Sequence, residues 1–247
     1  LRAANPESDI DDICKLDSYA DECRPLFVAP TTAGTGSEVT LFAVATQEDE
    51  NKKRPFISDK YLPVAIALEP ELTASVPAKS TAFTGIDALS HAVEAYLSLF
   101  ADSFSDDAAL APEVCKEIFT RLPVCCREPG NLEARAHMQK ASFNAGLSFR
   151  RIGTGYIHAI AHRLGEFCHI PHGLAIASVF TAVLKAYMPY SADKCAKLAM
   201  SAGVGENELS DIENANLFFE AVDKLISDIG IASDVKAISL REEDIDD

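Results

Sequence analysis

Four of the six histidines in this 247-residue sequence fall within fifteen positions, in His158-Ala-Ile-Ala-His162-Arg-Leu-Gly165-Glu-Phe-Cys-His169-Ile-Pro171-His172-Gly173. Residues four apart share a helix face, so a helix here presents His158 and His162 together. Gly165 offers a close approach or a helix end, and Pro171 suits the first turn of a new helix, which puts His172 at that helix's start. A second pair lies upstream, Asp87 and His91, again four apart. They flank an apolar stripe, so both can face a buried cleft, where a carboxylate is costly unless a cation or a hydrogen-bonding partner meets it. Three imidazoles and one carboxylate form a donor set of intermediate hardness. It suits Fe²⁺, Zn²⁺ or another first-row divalent ion and suits Ca²⁺ or Mg²⁺ poorly. Singly these signals are weak: a lone helical histidine is usually a satisfied structural residue, and Asp followed four residues later by His is common by chance.

The elements that must position these residues change character along the chain. Asn5 to Glu22 is a polar connection or a helix end. Three short apolar runs follow, Pro25–Pro30, Leu41–Thr46 and Leu62–Leu68, and runs apolar at nearly every position predict strands covered on both faces. Thr31–Glu38 forms a Gly/Thr turn between the first two, and Lys52-Lys53-Arg54, set among Glu48, Asp49 and Glu50, reads as a solvated turn. Beyond about residue 78 strand signals vanish. Ile86, Leu89, Val93, Leu97 and Phe100 mark one helix face, and Phe218, Val222, Leu225 and Ile229 mark another that stops at Gly230. A helix from Leu132 to about Phe149 follows the Pro129-Gly130 breaker, and further helices are expected near Ile157–Phe167, Leu174–Tyr187 and Ala192–Ala202.

Composition narrows the function classes. Hydrophobic residues make up 48% and charged residues 24%, enough apolar content to build a core. A net charge of −16 with no basic stripe argues against nucleic acid as a partner. No run approaches the ~20 apolar residues of a spanning helix, which argues against a membrane. The seven cysteines form no CxxC pair and read as reduced thiols of a cytoplasmic protein. The start, Leu1-Arg-Ala-Ala-Asn-Pro, has no Met and no long apolar segment, and reads as beginning within a longer chain.

Three segments in order, Pro30–Thr40, Thr84–Tyr96 and His158–Gly173, resemble the iron-containing (group III) alcohol dehydrogenases. That family's turn reads Pro-Thr-Thr-Ala-Gly-Thr-Gly-Ser-Glu-Val-Thr, and Pro30 to Thr40 match it throughout. Its first metal helix reads Thr-Gly-x-Asp-Ala-Leu-x-His-Ala-x-Glu-Ala-Tyr, matched by Thr84 to Tyr96, and its His-x-x-x-His-x-x-Gly followed by Pro-His-Gly is matched by His158 to Gly173. The resemblance implies Asp87, His91, His158 and His172 as metal ligands for Fe²⁺ or Zn²⁺. It implies His162 as the proton-handling residue, and Thr31, Thr32, Thr35, Thr40 and Lys53 as contacts to NAD or NADP. Glu94, seven beyond Asp87, reads as a partner of the ligands, His169 as a supporting or surface residue, and His137 as a solvated helix residue. The implied reaction interconverts a small alcohol and its aldehyde or ketone by hydride transfer to the nicotinamide, with the metal lowering the alcohol's pKa. A homodimer is implied by the resemblance alone.

The implied fold is α+β and mostly α. Residues 1–78 would be the C-terminal part of an α/β dinucleotide-binding domain, and residues 79–247 an all-helical metal-binding and catalytic domain. The family's Gly-Gly-Gly-Ser pyrophosphate turn is not in this sequence, so roughly a hundred residues are expected upstream. The family's C-terminal Asn-Pro-Arg segment is not in it either. Cofactor choice is therefore not legible here, and the isolated chain is expected to hold metal better than dinucleotide. Two rivals remain open: a glycerol dehydrogenase-like or dehydroquinate synthase-like relative, and a non-catalytic helical metal-binding fragment.

Overall fold

A computed structural model describes residues 25–47 and 52–238. Asn5–Glu22, Cys14 and Cys23 lie outside these residues. The chain is α+β and mostly helical. Strand β1 (Phe27–Val28) pairs in parallel with β4 (Ala65–Ile66), and β2 (Phe42–Gln47) pairs antiparallel with β3 (Lys52–Ile57). From Ala78 onward the described chain is helical: α1 (Ala78–Leu97), the short α2 (Ser105–Ala108), α3 (Ala111–Arg127), α4 (Leu132–Phe149), α5 (Tyr156–Cys168), α6 (His172–Ser201), α7 (Asp211–Asp228) and α8 (Ala232–Lys236).

Helix α1 is the axis of this bundle. It packs on α3, α4 and α6, while α6 in turn packs on α5 and α7. Its apolar residues Ile86, Leu89 and Val93 are fully buried, and so are Ser90, Asp87, His91 and Glu94 or nearly so. Buried Arg135 of α4 secures the start of α1, donating to the Thr81 hydroxyl at 2.8 Å and to the Val76 carbonyl at 3.1 Å. Helix α4 begins where the breaker predicts, with the Asn131 side chain accepting from Ala134 N–H at 3.1 Å. Helix α7 starts with a reciprocal cap between Ser210 and Glu213 and ends before Gly230, whose φ of 79° is open mainly to glycine.

Several elements differ from the sequence reading. Lys52–Arg54 lies on strand β3, not in a turn, because β2 offers it a full antiparallel ladder from Phe42–Ile57 to Gln47–Lys52. Strand β1 is not covered on both faces: Phe27 is 70% exposed, and Leu26 and Val64 are exposed beside it. The apolar run was a correct sign of a strand, but among the described residues only β4 joins β1. Helix α3 carries no prominent signal because Pro123 falls inside it, while Pro112 stands in its first turn, where proline is tolerated, yet Val114, Cys115, Ile118, Leu122 and Cys125 form a regular buried stripe. The two helices expected over 174–202 are one, bent at Ser191 just after Pro189. This helix, α6, is long and apolar enough to cross a membrane by length and composition. Half of its most apolar window is buried among the other helices, as suits a core helix. Helix α1 stops at Leu97, leaving Phe100 beyond it and exposed.

The Pro30–Thr40 turn is held against the bundle by close backbone contact. A Cβ on Gly146 of α4 would lie 2.7 Å from the Gly36 carbonyl oxygen, and a Cβ on Gly36 would lie 2.6 Å from the Gly146 Cα. Gln139 of α4 donates to the carbonyls of Pro30 at 3.3 Å and Glu69 at 3.2 Å, fastening both ends of the strand region to the same helix. Gly146→Ala is therefore expected to lower stability by ~1–3 kcal/mol, as overpacking against backbone does. Urea unfolding measures it, and a midpoint equal to that of the parent chain would refute this account of the turn.

Candidate metal centre

Helix α1 contributes Asp87 and His91, the first turn of α5 contributes His158, and the first residue of α6 is His172. The close approach of α6 to α1 follows from the residue after His172. A Cβ on Gly173 would collide with the Phe83 carbonyl, so only glycine lets the start of α6 lie on the backbone of α1 one turn before Asp87. Helix α5 ends at Cys168, with His169 in the left-handed region (φ 52°), and the turn through Pro171 starts α6. Gly165 lies inside α5 rather than at its end.

Three imidazole nitrogens converge on one oxygen. Asp87 Oδ1 is 3.4 Å from His158 Nε2, 3.4 Å from His172 Nε2 and 3.8 Å from His91 Nε2. Asp87, His91 and His158 are buried and bring one ligand atom each to within 4.8 Å of one another. The His172 side chain is 38% exposed and forms the open side. Asp87 Oδ1 and His158 Nε2 are both buried and make no hydrogen bond. Ligand atoms ~2.1 Å from a tetrahedral divalent ion stand about 3.4 Å apart, so these separations fit a coordination sphere. The residues present therefore fit a first-row divalent cation.

Glu94 completes the arrangement from behind. Its Oε2 lies 2.5 Å from His158 Nδ1 and its Oε1 accepts from Ile157 N–H at 2.7 Å, with the side chain only 1% exposed. This contact assigns the Nδ1 proton of His158 to Glu94 and turns Nε2 toward Asp87. The His91 ring is stacked between Phe149 at 4.2 Å and His158 at 4.5 Å, centroid to centroid. Phe149 gave no signal in the sequence, being an ordinary aromatic at a helix end.

The charges explain the protonation tendencies. Burial pushes the Asp87 carboxyl up, but the neighbouring His91, His158 and His172 overcome this and hold it well below the usual carboxylate range. Burial lowers His91 to about 4. Burial also opposes charge on His158, yet Asp87 and Glu94 on its two sides raise it to about 9.

The remaining predicted residues divide. His162 is exposed on α5, its ring centroid 5.0 Å from His172 and 6.0 Å from His158. Thr31, Thr32 and Thr35 of the turn are exposed, whereas Thr40 is buried and its hydroxyl donates to the Ser37 carbonyl at 3.5 Å. Thr40 thus closes the turn on itself. Lys53 lies on β3 opposite Thr46. His169 is exposed. His137, expected to be solvated, is half-buried with Nδ1 2.8 Å from Glu117 Oε2, because α3 and α4 pack side by side there. A cavity of about 630 Å³ opens beside Glu94, Phe100, Gly155, Tyr156 and Tyr190, and none of the four candidate ligands lines it.

Residues 81–247 match the sequence model described as Fe-containing alcohol dehydrogenase family, C-terminal, and residues 1–70 match that of iron-containing alcohol dehydrogenase. The chain belongs to this family. Its relatives include the 1-propanol dehydrogenase PduQ of Salmonella typhimurium, 40% identical over 79% of this chain and 53% of the relative. The 1,3-propanediol dehydrogenase of Citrobacter freundii is 35% identical over 98% of this chain and 62% of the relative. Among solved structures, an alcohol dehydrogenase from Oenococcus oeni superposes with a TM-score of 0.89 at 33% identity, covering 96% of this chain and 62% of that one. A sulfoacetaldehyde reductase from Bifidobacterium kashiwanohense, solved in complex with NAD+, gives 0.82 at 32% identity, covering 97% and 61%. The chain thus spans between half and two thirds of the length of these relatives.

If Glu94 fixes the His158 ring as its contacts indicate, Glu94→Gln weakens divalent metal binding about 10- to 100-fold. Competition with a chromophoric chelator measures this. Unchanged affinity would show that Glu94 only fills space.

Proposed function

We propose that this chain is the metal-binding part, with a portion of the dinucleotide-binding part, of an NAD(P)-dependent alcohol dehydrogenase. The reading makes 1–78 the end of the α/β domain and 79–247 the helical catalytic domain. One observation carries it: three imidazole Nε2 atoms from three different helices meet one buried Asp87 oxygen at 3.4–3.8 Å. Asp87, His91, His158 and His172 would hold Fe²⁺ or Zn²⁺, and the ion, when bound, supplies a Lewis acid that acidifies the substrate hydroxyl.

The chain's own residues do the rest. Asp87 brings the negative charge that offsets a divalent cation, and Glu94 holds His158 in one orientation. The half-exposed His172 and the exposed His162 mark the side on which a small alcohol or aldehyde enters. His162, an exposed imidazole beside His172, passes the hydroxyl proton to solvent. The outward-facing Thr31, Thr32 and Thr35 offer hydroxyls to NAD or NADP, and Lys53 is the further contact in this reading. Thr40, bonded back to Ser37, is the buried member of the same cofactor-contacting set. Action on a small alcohol accords with relatives named as dehydrogenases of propanol and propanediol, and a cytoplasmic homodimer belongs to the same proposal.

Elemental analysis of the purified chain should find about one divalent ion per chain. His158→Ala and His172→Ala should each lose most of it, while His162→Ala keeps the metal. A panel of primary alcohols, diols and glycerol, assayed with NAD and NADP, then separates alcohol dehydrogenase from glycerol dehydrogenase-like chemistry. Absence of metal from the parent chain, or turnover indifferent to chelation, would sink the reading. Metal without dinucleotide binding by calorimetry would leave the non-catalytic fragment as the better description.

A further inference from the structure

Helix α5 carries His158 two residues from its start, and that start lacks a cap of its own. The N-cap residue is Gly155, with no side chain to accept from the first N–H groups. Two side chains from other helices fill the gap. Glu94 of α1 accepts from Ile157 N–H at 2.7 Å, and the Tyr187 hydroxyl of α6 accepts from Tyr156 N–H at 3.1 Å. Gly155 makes room for both. A Cβ there would lie 2.9 Å from Glu94 Oε1 and 3.2 Å from the Tyr187 hydroxyl oxygen. The φ of Gly155, −117°, lies outside the left-handed region, and the space a Cβ would fill is the constraint the neighbours impose.

We propose that Tyr187, acting through the gap at Gly155, is a positioning residue for His158. The hydroxyl of Tyr187 and the carboxylate of Glu94 grip successive N–H groups at the first turn of α5, so the height and rotation of that turn are set by α1 and α6. Those two helices carry the other three candidate ligands, Asp87 and His91 on α1 and His172 on α6. The cap therefore ties the position of the fourth ligand to the frame of the other three. The inference rests on the reading of these four residues as metal ligands.

Cobalt(II) is the probe, since its visible bands report ligand geometry and its titration reports affinity in the same cuvette. Tyr187→Phe keeps the ring and removes the hydroxyl. It should weaken Co²⁺ binding about tenfold and shift the visible bands. Gly155→Ala, which crowds both caps, should do the same. The double variant should bind no more weakly than Gly155→Ala alone, because crowding at Gly155 already displaces the Tyr187 hydroxyl that Tyr187→Phe removes. Tyr190→Phe alters a 90%-exposed ring on the same cavity wall and should leave affinity and bands as in the parent. If the parent chain takes up cobalt and Tyr187→Phe matches it in affinity and spectrum, the positioning role is overturned while the metal assignment stands. Weakened binding with unchanged bands in step with lowered thermal stability would overturn it too, as a purely structural effect. If the parent takes up no cobalt, the metal assignment falls and the positioning role falls with it.

Discussion

The structure is organised around a carboxylate placed where water cannot reach it. Asp87 lies midway along the most buried helix of the bundle, with its side chain 6% exposed. Removing such a charge from water costs several kcal/mol, and a carboxylate alone would take up a proton instead. It is held ionised by three imidazoles that approach from three helices. Each of those helices must come close enough to deliver a ring, and this requirement accounts for much of the packing. Gly173 lets α6 lie on the backbone of α1, and Gly155 leaves room for the side chains that grip the start of α5. The small residues of the helical core serve proximity as much as helix formation.

A second buried carboxylate makes the first one specific. Glu94 could have neutralised a histidine anywhere along α1. Placed seven residues after Asp87, it reaches His158 from the far side, so the imidazole is held between two acids. An imidazole with a free rotor would present either nitrogen at Asp87 with little preference. With Nδ1 committed to Glu94, Nε2 is left facing Asp87. The stacked Phe149 ring restricts His91 in a different way, by closing the space into which it could turn.

Much of this was legible in the sequence, for identifiable reasons. Asp87 with His91, and His158 with His162, are four apart, and helical periodicity alone places each pair on a shared face. The turn residues after Cys168 place His172 at a helix start. Illegible were the relations between helices. Nothing in the local pattern says that Tyr187 meets Tyr156, that Phe149 lies over His91, or that His137 meets Glu117. These depend on how helices cross, which local spacing does not encode. The Lys52–Arg54 segment was misread for a related reason. A basic run among acids is a solvated turn by composition, and only its partner strand β2 makes it β. Helix α3 was hidden by Pro123, which interrupts its pattern without abolishing the stripe it buries.

The Pro30–Thr40 turn shows how one motif serves two ends. Read by composition, its glycines allow backbone to approach a phosphate. In the fold they face inward: Gly34 lies against Thr84 of α1 and Gly36 against Gly146 of α4. The threonines divide, with Thr31, Thr32 and Thr35 outward and Thr40 bonded back to Ser37. The inward half presses the turn onto the same α1 that carries Asp87 and His91, three residues from where Thr84 meets Gly34. On the proposed reading, the hydroxyls that would meet a dinucleotide are thereby referenced to the backbone that bears Asp87 and His91. Hydride transfer demands a fixed distance between nicotinamide and substrate. On that reading, a turn docked through Gly34 on the helix of Asp87 and His91 would meet that demand by direct contact.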